Sequence, residues 1–520
     1  MSSEAGPHHA SGLILAPRRC SSVPVAPSRM ITSPASSRFF TCAYDTVVHA
    51  TWVTTSLSCV TTATLADALG ELKAALGAKV TENDTIREHH SKDESFHLAS
   101  MPDAVVFAES LADIATTLKI CNAHRIPVTP FGAGTSLEAN STPIHGGVSL
   151  DVSRMDAIVR VDSSDLDCTV QPGVRRKALN EHLAKFGLFF PVDPGADATI
   201  GGMAATGASG TTTVKYGAMK ELVLGLTVVT ANGEIVTTSR RARKTSAGYD
   251  LTHLFVGSEG TLGVIGEITL KVFGIPEVIA AATMQFPSVR HAVDAVIEVI
   301  QFGIGVARIE LLDSDAVSAV NRYSQTDLPE QALLLMEFHG SEESTRIDIA
   351  ATREVLERHG GTGLRQTTDE AERRKLWQAR HDTSLACRSL VPNARNFATD
   401  VCVPISRLSD CIEETQRDLA ESGLYGPIIG HVGDGNFHVV LSVDPNDHET
   451  VAKMEEFHTR LVRRALAMEG TCTGEHGIGV GKIDYLVDEL GVSAVSTMAA
   501  VKSALDPNGI MNPGKIFERR

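Results

Sequence analysis

No stretch of these 520 residues approaches the roughly 18 consecutive apolar residues that a bilayer crossing needs, so any membrane contact is read as peripheral. No Cys-x-x-Cys occurs, and the nine cysteines are scattered and odd in number. That argues against a disulfide framework, a zinc ribbon and a cysteine-ligated iron–sulfur cluster, and points to a reducing compartment. Positive charge is short as well. The formal net charge is −16, with no basic stripe interleaved with aromatics, which argues against nucleic acid as a partner. Finally, acids and lysine are missing from Ala5 to Tyr44, where Arg18, Arg19, Arg29 and Arg38 lie among serines and prolines. Such a composition suits a mitochondrial transit peptide, a disordered tail, or translation from a misassigned start with Met30 as another candidate. Residues 1–60 are therefore set apart as a tail or targeting segment.

What is there is enough for two or three soluble domains. Leu65, Leu69, Leu72 and Leu76 mark one face of a helix, and Ser110 can cap a second with Leu111, Ile114, Leu118 and Cys121 inward. A glycine-rich region then runs from 130 to 266. Pro130-Phe-Gly-Ala-Gly-Thr-Ser136 can form a concave backbone nest for a phosphate or pyrophosphate, although it lacks the third glycine of the Rossmann fingerprint. From Asp193 to Gly217 almost every side chain is small, which suits a surface laid against a large flat ligand. Gly257-Ser-Glu-Gly-Thr-Leu-Gly263 is a third cluster, leading into a strand of alternating residues, and Pro276 closes this part. From about 277, helices alternate with strands in an α+β layer, an antiparallel sheet with helices on one side.

Within that layer lies Gly430-His-Val-Gly-Asp-Gly-Asn-Phe-His438. Asp434-Gly435 is a favoured two-residue hairpin turn. With that turn as the loop, His431 and His438 stand directly opposite, with β-carbons roughly 5 Å apart, close enough to share one metal ion. Two structural histidines on a sheet are the plainer alternative. Glu475-His476 is a second acid-plus-histidine cluster.

The runs 130–138, 190–202 and 257–263 resemble the FAD domain of the vanillyl-alcohol-oxidase type flavoproteins, the PCMH-type FAD-binding fold. Gly430–His438, Gly474-Glu-His-Gly477 and Asn512-Pro-Gly-Lys515 narrow the resemblance to the FAD-linked D-lactate dehydrogenases that use a cytochrome or quinone. It covers about residues 80 to 520. It implies a two-subdomain FAD-binding domain at 61–276. A substrate and metal domain at 277–520 follows, with a ferredoxin-like antiparallel sheet, a C-terminal helical cap and a last segment that returns to the flavin.

The resemblance also implies roles. Pro130, Gly132, Ala133, Gly134, Thr135, Ser136 and Leu137 would hold the FAD pyrophosphate. Pro194, Gly195, Thr199, Gly201, Gly202, Thr206, Ser209 and Gly210 would line the flavin and its ribityl-phosphate. Glu259, Gly260, Gly263 and Ile265 would meet the adenine end, and Asn512 the ring. His431, His438 and Glu475 match divalent-metal ligands, Zn or Mn. His476 matches the active-site base and Arg380 the substrate-carboxylate arginine, where an exposed helix charge is the plainer reading. The implied reaction oxidises a D-2-hydroxy acid, D-lactate to pyruvate, with D-2-hydroxyglutarate or glycolate as alternatives and a non-catalytic flavin subunit or a non-redox flavin transferase as remote ones.

Two departures from the family pattern stand out. Ala139-Asn140 follows Leu-Glu in place of Gly-His, so FAD is expected to be non-covalent, and Thr383-Ser-Leu385 replaces aromatics after Arg380-His381. A cytoplasmic protein at the inner face of a membrane is the first expectation for location, with a mitochondrial one if the N-terminus is a transit peptide. The oligomeric state is open, a homodimer included.

Overall fold

The strand Ala332–Gly340 shows how the second half of the chain is built. Leu334, Met336 and Phe338 alternate with Leu333 and Leu335, so both faces are apolar, and eight of its nine residues are buried. A strand of this kind must be covered on both sides. The computed structural model, which describes residues 62–517, places it inside an antiparallel sheet. The strands run in the order Thr362–Thr367, Val278–Phe286, Ala332–Gly340, Val306–Leu312, Ile428–His431, Asn436–Val443 and Arg395–Ala398, and Val401–Cys402 also pairs with Asn436–Val443.

Helices lie on both faces of this sheet, not on one as the sequence pattern implied. Val289–Gln301, Glu342–Arg358, Leu408–Ser422 and His448–Ala467 pack on one face, in a core with Met336, Phe338, Phe437 and Leu441. Ser314–Ser324, Glu370–His381 and Thr383–Arg388 pack on the other, with Leu333, Leu335, Ile429 and Val440. Glu370–His381 and Thr383–Arg388 follow one another with a break at Asp382.

The first half carries two further sheets. Ala104–Phe107, Val148–Asp151 and Val128–Phe131 are parallel neighbours, with Val80–Thr81 antiparallel at one edge. The helices Thr62–Leu76 and Leu111–His124 close this core. Ser110 caps the second helix, accepting from the Asp113 N–H at 3.2 Å. The other sheet is antiparallel and joins Ile158–Asp162, Asp167–Val170, Val264–Lys271, Val223–Val229 and Ile235–Thr237. This mixture of sheets and helices is the expected α+β class. The small-residue run is not all loop: Ile200–Thr206 is a short helix that buries Ile200, Met203 and Ala204.

The C-terminal helix Ile483–Leu505 is interrupted at Gly491, whose φ is 77°. Beyond it the chain returns to the first half. The Val128 N–H donates to Ile510 O at 2.7 Å and the Asn512 N–H to Val128 O at 2.8 Å, extending the parallel sheet. Residues 1–60, with their targeting reading, lie outside the described residues.

Candidate active site

A cavity of 580 Å³ runs along the glycine-rich loops and ends at Glu475 and His476. The loop 130–137 forms one wall. Gly134 takes a φ of 65°, and a β-carbon there would strike the Phe131 ring at 2.9 Å. A β-carbon on Gly132 would meet Thr199 Oγ1 at 2.5 Å, and one on Gly201 would meet Pro172 at 2.5 Å. Such contacts lie well inside van der Waals distance, so these backbones can approach one another only without side chains. Pro194, Gly195, Thr199, Gly201, Gly202 and Thr206 form a second stretch of wall, and Glu259, Gly260, Gly263 and Ile265 a third. This long, small-walled trough fits an extended dinucleotide.

Ser209, Gly210 and Asn512 do not line the cavity. Ser209 Oγ donates to Glu475 Oε2 at 2.6 Å. Gly210 is packed on Asp193, where a β-carbon would lie 2.6 Å from Oδ1. Asn512 is buried and donates Nδ2 to Asn140 O at 2.8 Å and Glu259 O at 2.6 Å. Asn140 does face the cavity, and its Nδ2 donates to Glu259 Oε2 at 2.6 Å. Burial raises the pKa of Glu259 above the ordinary carboxylate value, against the N–H groups of Ile478 and Gly479 that it accepts. Glu259 thereby ties the loop after His476 to the glycine-rich half.

The histidine pair differs in register from the two-residue-turn expectation. His431 pairs with Asn436 and Ile429 with His438, so the loop spans the four residues 432–435. The Asp434 N–H donates to His431 O at 3.0 Å, and Gly435 is the loop residue with a positive φ, 83°. Gly433 and Gly435 are wedged in place: β-carbons there would meet Ile309 at 2.7 Å and Val403 O at 2.1 Å respectively. The slip is by two residues, and strand side chains repeat every two, so the histidines still share a face as diagonal neighbours. Their ring centroids are 5.6 Å apart.

Both imidazoles are fixed by their Nδ1 atoms. His431 Nδ1 bonds Glu310 Oε1 at 2.7 Å, and His438 Nδ1 bonds Thr399 O at 2.8 Å. Each Nε2 then turns to the same atom, Glu475 Oε1, at 3.4 Å from His431 and 3.3 Å from His438. Ser209 occupies the other carboxylate oxygen. Two bare imidazole nitrogens and one carboxylate oxygen, oriented by outer partners, are a donor set suited to a divalent ion, and the three ligand atoms lie within 4.8 Å of one another. Burial opposes charge here, yet Glu310 and Glu475 raise the pKa of His431 well above that of a free imidazole. Burial would likewise raise that of Glu475, but His431 and His438 hold it well below the carboxylate range. The pocket thus has negative field for a cation. A second grouping, Asp400, His438 and His476, is equally tight, but its Asp400 is taken by N–H donors.

His476 stacks on His438 with centroids 5.2 Å apart and planes inclined by 12°. Its Nδ1 is buried without a hydrogen-bond partner, and its Nε2 lies 3.9 Å from Glu475 Oε1. Burial lowers its pKa, with His438 and Lys482 adding to the effect against Asp400. Arg380 is not an exposed helix charge. It is buried and donates Nε to Glu310 Oε2 at 3.0 Å, with Nη2 on the same oxygen at 2.7 Å. It does not line the cavity, whereas His381, Ser384, Leu385 and Arg388 from the same two helices do.

Sequence reasoning missed Glu310, Asp400 and Lys482. For Glu310 the signal was an acid inside the apolar strand Val306–Leu312, a position that demands a buried partner.

Two family models match the chain. The model of FAD linked oxidases, C-terminal domain, matches residues 275–516, and that of the FAD binding domain matches residues 102–239. The chain belongs to the FAD-linked oxidases. Within them it is 48% identical to the "Probable D-lactate dehydrogenase, mitochondrial" of Danio rerio, over 84% of this chain and 89% of the relative. It is 42% identical to the "D-lactate dehydrogenase [cytochrome], mitochondrial" of Arabidopsis thaliana, over 86% and 80% respectively. Among solved structures, 4-ethylphenol oxidase from Gulosibacter chungangensis superposes with a TM-score of 0.73 at 18% identity, covering 89% of this chain and 99% of that one. That likeness establishes the vanillyl-alcohol-oxidase type fold.

Proposed function

We propose that this chain is an FAD-dependent dehydrogenase of D-2-hydroxy acids that converts D-lactate to pyruvate and passes the electrons to a cytochrome or a quinone. The observation that carries this reading is the convergence of His431, His438, Glu475 and His476 at the end of the glycine-lined cavity. The names of its Danio and Arabidopsis relatives support D-lactate and a cytochrome acceptor. They also favour a mitochondrial location over a cytoplasmic one, in keeping with the acid-poor N-terminus. Among the described residues no helix is long and apolar enough to cross a membrane.

In this reading the FAD-binding domain is 61–276 and the substrate and metal domain 277–520. The loop 130–137 holds the pyrophosphate, residues 194–206 the flavin and ribityl chain, and 259–265 the adenine end. His431, His438 and Glu475 hold the metal. When bound, FAD supplies the hydride acceptor and a Zn or Mn ion the Lewis acidity at the substrate oxygens. His476 takes the hydroxyl proton at Nε2. Its lowered pKa keeps the imidazole neutral near pH 7, the state a base requires. Arg380 braces Glu310, and through it His431. Ser209 acts on Glu475 rather than on the flavin, holding Oε2 so that Oε1 faces the histidines.

The test is a substrate panel on purified, metal-analysed protein, read by dye reduction. D-Lactate should give the highest kcat/KM, ahead of D-2-hydroxyglutarate and glycolate, with L-lactate inert. Acid or heat should release the flavin, because residue 140 is asparagine. An L-selective enzyme, or one indifferent to all these acids, would overturn the reading.

A further inference from the structure

The two parts of the centre meet at one side chain that none of these roles includes. Asp400 is fully buried. Its Oδ1 accepts from Asn436 Nδ2 at 2.9 Å, on the hairpin. Its Oδ2 accepts three donors from one loop: Thr473 Oγ1 at 2.7 Å, the Glu475 N–H at 3.0 Å and the His476 N–H at 2.9 Å. The loop reaches Asp400 only because residue 474 is glycine, since a β-carbon there would lie 2.2 Å from Asn436 Nδ2. The preceding residue, Thr399, accepts His438 Nδ1 on its carbonyl and the Val439 N–H on its hydroxyl at 2.9 Å. A carboxylate buried this deeply survives only with compensating charge. Lys482, itself fully buried, supplies it with Nζ 3.5 Å from Asp400 Oδ2 and 3.1 Å from Glu138 Oε1.

We propose that Asp400 is the positioning residue of this centre: its carboxylate sets the loop that carries Glu475 and His476 against the hairpin that carries His431 and His438. The proposal rests on the metal-and-base reading given above. Two consecutive peptide N–H groups on one carboxylate oxygen fix the backbone at the position from which both functional side chains leave. The histidines have their own supports in Glu310 and Thr399. Loss of the Asp400 charge therefore loosens Glu475 and His476 while leaving the pair in place. Asp400→Asn keeps the shape, but its NH₂ must face either the three loop donors or Asn436 Nδ2, donor against donor in both orientations.

The experiment titrates flavin-loaded, chelator-treated protein with Zn²⁺ by calorimetry for the wild type, Asp400→Asn, Thr473→Val and His438→Ala. Anaerobic flavin reduction by D-lactate is then followed on the reloaded samples. Asp400→Asn should lose about 10–100-fold in Zn²⁺ affinity, the range for outer partners of metal ligands. It should lower the limiting rate of flavin reduction more than the apparent KM and keep full FAD content. Thr473→Val removes one donor and should move affinity in the same direction by less. Zn²⁺ affinity and reduction rate within twofold of wild type in Asp400→Asn, even with a lowered melting temperature, would overturn the proposal. If that variant does not fold, unchanged Zn²⁺ affinity in Thr473→Val overturns it instead. Wild-type Zn²⁺ binding in His438→Ala would sink the underlying metal reading, a separate outcome.

Discussion

The trough and the histidine centre are built on opposite plans. The trough is made by what its residues lack: at Gly132, Gly134 and Gly201 the neighbouring atoms already occupy the space of a β-carbon. In the proposed reading its recognition groups are backbone amides, which need no partner residue to orient them. The centre is made of charged and titratable side chains buried in and beside a sheet, and nearly every one is held by a second group. Glu310 holds His431, Thr399 holds His438, Ser209 holds Glu475 and Asp400 holds the loop. A backbone site tolerates almost no added atom but is indifferent to charge. A side-chain site tolerates changes of shape poorly and loss of charge worse. The two should therefore fail independently.

The largest effect should come from removing the anionic ligand. Glu475→Gln should lose bound metal and lower turnover by about 10³-fold, the scale of a few kcal/mol of Lewis-acid stabilisation, while FAD stays bound. Metal analysis and the visible flavin spectrum on one sample check both halves of that statement. His476→Ala should retain metal and flavin but slow flavin reduction by about 10²-fold, the lower end of the usual worth of a positioned base. Loss of metal in this variant would mean that the imidazole is a ligand and not the base.

On the other side of the comparison, Gly132→Ala puts a β-carbon 2.5 Å from Thr199 Oγ1. Overpacking on the scale of about 1–3 kcal/mol should weaken FAD binding by about tenfold, read by fluorescence titration of the apoprotein, with Zn²⁺ affinity unchanged. Equal losses of FAD and Zn²⁺ would break the claim of independence. The smallest effect concerns Asp313, which caps the helix Ser314–Ser324 and accepts the Ile428 N–H at 2.9 Å, at the foot of the hairpin. Burial raises its pKa from 3.8 to about 7. The folded state then holds a proton that the unfolded chain has released, so this contribution is fully present below 3.8 and is lost as pH rises through about 7. Asp313→Asn should flatten the decline of stability across that window, measured by urea unfolding at fixed pH steps. An unchanged slope would remove Asp313 as its source.

Some features of this protein are local, and for that reason legible in the residues alone. Positive φ and close backbone approach are demands that glycine meets wherever it stands, so the loop 130–137 announces itself. Alternation along a strand has a period of two, so His431 and His438 share a face whether the loop holds two residues or four. The register itself was not legible, because Gly433 and Gly435 are held by Ile309, Val214 and Val403, which come from elsewhere in the chain. Nor was the second helical layer, since the apolar residues on both faces of Ala332–Gly340 do not say what covers them. The partners of the buried charges were the least legible. Ser209 meets Glu475 across 266 residues, Glu310 meets His431 across 121, and Asp400 meets His476 across 76. A sequence can show that a buried carboxylate needs a partner. Which partner it finds depends on the order of strands in the sheet, and that is decided only when the tertiary fold brings distant segments side by side.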